Sequence, residues 1–270
     1  MMNSLYKALL FSQLCVVATS ASSLRGTNNN VDRSLIVAGG DDEKYDRDLQ
    51  KRIINGIKTV EGRYSYAVSL EDDVGHFCGG SLIAPDVVLS AAHCGAGEYT
   101  AFIGRHSLQD TDGYEELSVK VEMMHPEYDA DTTDNDFMLI FLERPATSKV
   151  DLVTVSPDVV SSGVDVTVMG WGDTVKAQDV KELATELLEV EVTTMTNEEC
   201  ELSKSTEAGW EFDYHGQITD NMLCAENEKD LDSCQGDSGG PLVIKTSSDQ
   251  PDIQVGVVSW GIGVSDVCCC

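Results

Sequence analysis

Ser238 stands in the run Gly236-Asp237-Ser238-Gly239-Gly240, where glycines let the backbone turn tightly and leave the hydroxyl approachable. A serine hydroxyl is a poor nucleophile at neutral pH. It needs a neighbouring base, a third group to orient that base, and donors aimed at the developing oxyanion. Two residues could fill the first two roles. His93 closes Val88-Leu89-Ser90-Ala91-Ala92-His93-Cys94, and Asp136 heads Asn135-Asp136-Phe137-Met138-Leu139-Ile140. Each alone has an ordinary reading: an exposed turn, a satisfied core histidine, a strand-end cap. All three in these contexts, in the order His, Asp, Ser, point to activated-serine chemistry.

The elements that must position them read as strands. Val164, Val166 and Val168 alternate with Asp165 and Thr167, Val190 and Val192 with Glu191, and Ile253, Val255 and Val257 with Gln254 and Gly256. Period two over short runs punctuated by Gly, Asp and Ser predicts half-buried strands and an all-β sandwich or barrel. Asp179 to Leu188 has helical composition but reads as a loop or strand lead-in. No internal repeat or low-complexity tract is visible.

Upstream, Lys7 precedes a short apolar core, Ala8-Leu9-Leu10-Phe11 to Cys15-Val16-Val17-Ala18, with small residues at Thr19-Ser20-Ala21. This predicts a signal peptide over residues 1–21, too short and interrupted for a stable membrane anchor. Residues 22–52 are polar, rich in Asn, Asp and Gly, and end at Lys51-Arg52; they read as a pro-segment. Export places the remaining cysteines in an oxidising compartment, and without CxxC pairs or His-rich spacing they predict disulfides and no metal. The net charge of −29 over 270 residues argues against nucleic acid, whose phosphates need a basic surface, and against anionic membranes. Such a field would concentrate cationic ligands, or would simply keep a secreted protein soluble.

The chain from Ile53 to about Gly263 resembles the trypsin-like members of the chymotrypsin family of serine proteases. The matching stretches are Ile53-Ile54-Asn55-Gly56, Cys78-Gly79-Gly80-Ser81-Leu82-Ile83, Ala91-Ala92-His93-Cys94, Asn135-Asp136, Gly170-Trp171-Gly172, Met222-Leu223-Cys224-Ala225, Asp232 through Leu242, and Val258-Ser259-Trp260-Gly261. The resemblance implies two six-stranded antiparallel barrels with the site in the cleft between them, over a domain of residues 53–270. It implies Ser238 as nucleophile, His93 as base, Asp136 as its orienting acid, and the backbone N–H groups of Gly236 and Ser238 as the oxyanion hole. Asp232 would form the base of a pocket for Arg or Lys, and Ser259-Trp260-Gly261 the edge that pairs with substrate backbone. Cleavage after Arg52 would free an ammonium on Ile53 to pair with Asp237. Cys78 would bond Cys94, and Cys200 would bond Cys224. The implied partners are protein substrates, an activating protease and protein inhibitors; the implied state is a secreted monomer without cofactor. The family's calcium loop would span about Arg105 to Glu116, where Arg105 takes the first ligand position and disfavours the ion.

Two departures qualify the expectation. Cys234 lacks its usual partner just after Gly263, where Val264 stands, leaving Cys268, Cys269 and Cys270 as candidates. The family's last strand and C-terminal helix are missing, which predicts an incomplete second barrel with an unpaired edge. An endopeptidase is the first reading; a protease-fold binding or inhibitory protein is the alternative. A carboxyl-ester hydrolase would need its serine on a strand-to-helix elbow, a setting the chain lacks although Gly236 to Gly240 has GxSxG spacing.

Overall fold

The computed structural model describes residues 56–95, 97–147, 149–173, 182–207, 210–226, 237–247, 250–261 and 267–269. The signal peptide, the pro-segment, the Arg52/Ile53 junction, Asp232, Cys234 and Gly236 lie outside these residues.

The first half is a closed barrel. After a short β1 (Ile57–Lys58) come β2 (Ala67–Asp72), β3 (Gly75–Ala84), β4 (Val87–Ser90), β5 (Thr100–Ile103), β6 (Glu115–Met124) and β7 (Met138–Leu142). These six, without β1, close in the order β2-β3-β4-β7-β6-β5. Every residue of β4 and β7 is buried, as expected for strands with neighbours on both sides and core on one face.

The second half is built on β8 (Thr154–Val155), β9 (Asp165–Gly170), β10 (Leu188–Met195), β13 (Cys224–Glu226), β14 (Pro241–Ile244), β15 (Ile253–Val257) and β16 (Val267–Cys269), in the order β16-β13-β10-β9-β14-β15-β8. A separate hairpin joins β11 (Lys204–Glu207) to β12 (Trp210–Asp213). Among the described residues this second sheet is open, so the fold is all-β with one closed barrel and one partly open layer.

The predicted alternation is visible in β10, where Leu188, Val190, Val192 and Thr194 are buried and the intervening residues point outward. In β15 the pattern shifts. A bulge opposite Leu242/Val243 breaks the register, and Gln254 and Val257 are the residues turned fully inward while Ile253 and Val255 are only partly buried. The Gln254 amide oxygen accepts a 2.6 Å bond from Ser81 Oγ of β3, which satisfies the buried group across the two layers.

The second sheet is open as expected, and among the described residues its outer strands are β16 and β8. Val267–Cys269 pairs antiparallel with β13, Cys269 lying opposite Cys224. Ladder hydrogen bonds are made by backbone, so any extended segment can fill such an edge whatever its side chains. Residues 182–187 form no helix and lead into β10, as anticipated. The described helix that sequence reading did not anticipate is α1 (Asn197–Leu202), closed by a Thr196/Glu199 capping box; its signature, Thr-x-x-Glu, is in the sequence. Among the described residues no helix is long and apolar enough to cross a membrane.

The layers are locked at one end by Asp252. Arg63 donates to both its carboxylate oxygens (2.6 and 2.8 Å), Tyr66 Oη donates at 2.7 Å and Thr246 N at 3.0 Å. Burial by itself would raise the acid's pKa, but the bonds from Arg63, Thr246 and Tyr66 outweigh it and hold it below the usual range. A carboxylate depressed below its unfolded value of about 3.9 stabilises the fold above that pH and loses the contribution as pH falls through the folded value. Asp252→Ala should therefore cost about 3 kcal/mol in urea unfolding at neutral pH, the lower end for a buried pair because Arg63 is a third exposed. The gap to the parent chain should narrow below about pH 4; an undiminished gap at pH 3 would contradict this account.

Candidate active site

β4 and β7 are paired antiparallel with Ser90 opposite Met138. The residues leaving the end of β4 and those entering β7 therefore emerge side by side. His93 lies three residues beyond Ser90 and Asp136 two before Met138, so their meeting follows from register. Ala91 and Ala92 are buried and small, which lets the chain tuck into the 3-10 turn Ala92–Cys94 that presents His93. The Cys78–Cys94 disulfide ties that turn to β3. On the other side, Thr133 and Asn135 both adopt left-handed backbone (φ 56° and 55°). Between them Asp134 accepts bonds from Thr219 Oγ1 (2.5 Å) and Asn221 Nδ2 (3.1 Å) of the second half.

Asp136 is 5% exposed. Its Oδ1 accepts from His93 N at 2.9 Å, and its Oδ2 lies 2.6 Å from His93 Nδ1 and 2.5 Å from the donating Ser259 Oγ. Burial pushes this carboxyl up, but the His93 side chain first, then Ser259 and the His93 backbone, more than reverse the effect, so it is held below the ordinary carboxylate range. A fixed anion on Nδ1 leaves the other ring nitrogen, Nε2, as the one that can take a proton.

Ser238 arrives from the second half on a turn pinned to the barrel. Gly79 N of β3 donates to Ser238 O at 2.7 Å, Gly240 N to Asp237 O at 2.8 Å, and Gly239 N to Val258 O at 2.8 Å. Gly239 has φ +82°, and a Cβ there would lie 2.3 Å from Ser90 Oγ and 2.5 Å from Gly79 O. The turn thus sits against the middle of β3 and the end of β4, beyond which His93 emerges. Asp237 is buried, its Oδ1 accepting from Gly172 N at 2.9 Å. A Cβ on Gly170 would come within 2.1 Å of that oxygen. The Gly170-Trp171-Gly172 motif therefore makes room for Asp237 with one glycine and bonds it with the other.

Ser259 was expected only as substrate-edge backbone, yet its hydroxyl serves Asp136 from 123 residues away. Nothing in the spacing could have revealed this, nor the Asp134 anchor. Trp260 is half-buried and packs 5.7 Å from the Tyr214 ring, beside the Cys200–Cys224 disulfide. It also lines a small hollow with Asp136, Met222 and Ser259, so it is wall and core at once. Cys78, His93 and Cys94 bring potential metal donors together, but both sulfurs are committed to the disulfide and no metal fits there.

The chain is similar to known proteins in sequence and in fold. A family model described as Trypsin matches residues 53–268. The chain belongs to the trypsin family. It is a serine endopeptidase by that membership. Trypsin-4 of Rattus norvegicus is 38% identical over 214 residues, covering 78% of this chain and 79% of that protein. Trypsin of Sarcophaga bullata is 38% identical over 226 residues (82% and 83%), and kallikrein-11 of Mus musculus 36% over 220 residues (78% and 73%). Among solved structures, neuropsin, a serine protease expressed in the limbic system of mouse brain, superposes with a TM-score of 0.67 at 30% identity, covering 79% of this chain and 88% of that one.

Arg105 occupies the stretch, Arg105 to Glu116, where the resemblance put the family's calcium loop. The Arg105 guanidinium donates to the carbonyls of Ser107 (2.9 Å), Leu108 and Asp110 (3.3 Å) and to Glu71 Oε1 (2.7 Å), and lies over the rings of Phe102 and Tyr114. The loop's inward oxygens thus already surround a positive charge that belongs to the chain, and calcium does not fit beside it.

Two outcomes follow. Gly239→Ala should displace the Ser238 turn and lower kcat about 100-fold or more, whereas Gly113→Ala (φ +85°, with open space around it) should cost only about 1 kcal/mol of strain and leave kcat unchanged. In thermal unfolding, added calcium should not raise the Tm of the parent chain, while Arg105→Ala should destabilise by about 3 kcal/mol by removing the cation paired with Glu71 and the donor to the Leu108 and Asp110 carbonyls.

Proposed function

We propose that this chain is exported as a zymogen, cut after Arg52, and hydrolyses peptide bonds after Arg or Lys through an acyl-enzyme on Ser238. Residues 1–21 act as the signal peptide, 22–52 as the pro-segment and 53–270 as the protease domain. Two disulfides and the leader composition support secretion to an oxidising compartment.

The observation that carries the reading is the two-point bond between His93 and the buried Asp136, beside the pinned Ser238 turn. Asp136 holds the Nδ1 proton, so Nε2 accepts the proton of Ser238 Oγ as that oxygen attacks the scissile carbonyl carbon. The backbone N–H groups of Gly236 and Ser238 stabilise the oxyanion that forms. His93 returns the proton to the leaving amine, and water then repeats the sequence on the acyl-enzyme. Asp232 pairs with the substrate cation, since opposite charges attract strongly once water is excluded between them. Ser259, Trp260 and Gly261 receive the substrate strand. The new Ile53 ammonium pairs with Asp237, linking cleavage to order around Ser238. Its partners are protein substrates, an activating protease and inhibitors, and it acts as a monomer without cofactor.

Recombinant chain cleaved after Arg52 should hydrolyse an Arg-containing chromogenic peptide. Ser238→Ala should abolish the activity, and Asp136→Asn should lower kcat about 10⁴-fold. Cleaved chain no more active than the Ser238→Ala control would overturn the hydrolase reading and leave a protease-fold binding protein.

A further inference from the structure

Residues 125–137 form a loop laced to itself. His125 N donates to Phe137 O (2.8 Å), Asp129 N to Asp134 O (3.0 Å) and Asn135 Nδ2 to Glu127 O (3.1 Å). Asp136 sits at the centre of its last turn, because Phe137 N donates to Asn135 O across it at 2.7 Å. A bond between residues two apart fixes the backbone of the one between them. The direction in which Asp136 leaves the loop is therefore set by where Asn135 sits.

Asn135 is buried, and its Nδ2 also donates to Asp134 Oδ2 at 3.0 Å. The Asp134 carboxylate thus stands between two sets of donors. Facing Asn135 are residues of the second half: Thr219 Oγ1 donates to Asp134 Oδ1 at 2.5 Å, and Asn221 Nδ2 to Oδ2 at 3.1 Å. Those donors are themselves fixed. Thr219 Oγ1 accepts from Asn221 N (3.3 Å), and Thr219 O from Met222 N (3.2 Å) and from Asn197 Nδ2 of α1 (2.8 Å). Just beyond, Cys224 is disulfide-bonded to Cys200 of α1. A braced piece of the second half therefore holds the residue two before Asp136.

Thr133 supplies an independent sign that this hold is under load. Its φ of 56° is left-handed, a conformation that a β-branched residue adopts rarely and at a cost. Asn135, at φ 55°, tolerates the same region far better. Such strain persists only where neighbouring contacts over-determine the backbone. The bonds on Asp134, the next residue, tie the strained turn to another element.

We propose, on the roles given above to His93, Asp136 and Ser238, that Asp134 is a positioning residue for the reaction. Held by Thr219 and Asn221, it sets the angle at which Asp136 meets His93. Docking of the second half is thereby sensed twice at Asp136, directly through Ser259 and at one remove through Asp134.

The test uses full-length chain cleaved after Arg52, with kcat expressed per acylatable serine by active-site titration. Thr219→Val removes the hydroxyl donor and leaves the charge of Asp134 in place. It should lower kcat about fivefold with KM within about twofold of the parent, because a displaced base weakens the transition state and not ground-state binding. Thr219→Ser should restore the parent kcat, and Asp134→Ala should lose about tenfold or more. A second readout needs no catalysis. In cleaved chain carrying Ser238→Ala, the His93 Nδ1 proton, facing Asp136 Oδ2 at 2.6 Å, should give a far-downfield NMR resonance. Adding Thr219→Val should broaden that resonance, and adding Thr219→Ser should not. An inactive parent that still shows these NMR effects would overturn the hydrolase reading and leave the positioning role standing. Unchanged kcat and an unchanged resonance in Thr219→Val and Asp134→Ala would overturn the positioning role. A loss confined to KM, or one that Thr219→Ser does not recover, would overturn it too. If Asp134→Ala fails to fold, the two Thr219 variants decide the matter.

Discussion

Burying the Asp136 carboxylate between barrel and second sheet costs on the order of several kcal/mol unless donors converge on it, and here they come from distant points of the chain. His93 supplies two from the end of β4, and Ser259 supplies one from beyond β15. The anion is therefore satisfied only when the two layers are docked. This couples the folding of the whole domain to the geometry of the site, because loss of docking would strand a charge as well as expose apolar surface. It also fixes the imidazole, since the same oxygens that need donors hold the ring by its backbone and its Nδ1.

The remaining seam repeats this logic with other polar groups. Asp252 gathers Arg63, Tyr66 and the Thr246 amide at one end, Gln254 receives Ser81 in the middle, and Asp134 receives Thr219 and Asn221 near the site. Apolar packing crosses the seam too: Met169, Trp171, Leu187, Val243 and Val257 belong to the same cluster as the barrel core. Apolar contacts are tolerant of sliding, whereas a bidentate guanidinium or a carboxylate between fixed donors is not. The polar pairs therefore set the alignment that a serine from one layer and a histidine from the other require.

The charge distribution places a buried cation inside an acidic protein. Arg105 is drawn inside, where its guanidinium organises a loop otherwise suited to a metal ion. The outer face of the same region, sharing Glu71 and Phe102, keeps its acids spread around a hollow.

How much of this was legible beforehand differs by residue. The identities of His93, Asp136 and Ser238, the all-β class and both disulfide pairs could be reached from the sequence, because motif and alternation are local and the cysteine pairing came with the resemblance. The α1 capping box was equally legible in Thr196 and Glu199. Other features were not. The hydroxyl of Ser259 on Asp136, the inward Gln254 set by a bulge, and the pairing of Val267–Cys269 with β13 depend on strands brought together from far apart. The sequence by itself determined which groups are candidates for chemistry and where strands run, since these follow from residue type and short-range period. Only the tertiary structure decided which buried polar atoms satisfy one another and which edge the last strand fills, because those choices are made by backbone register and by the cost of leaving a buried group unpaired.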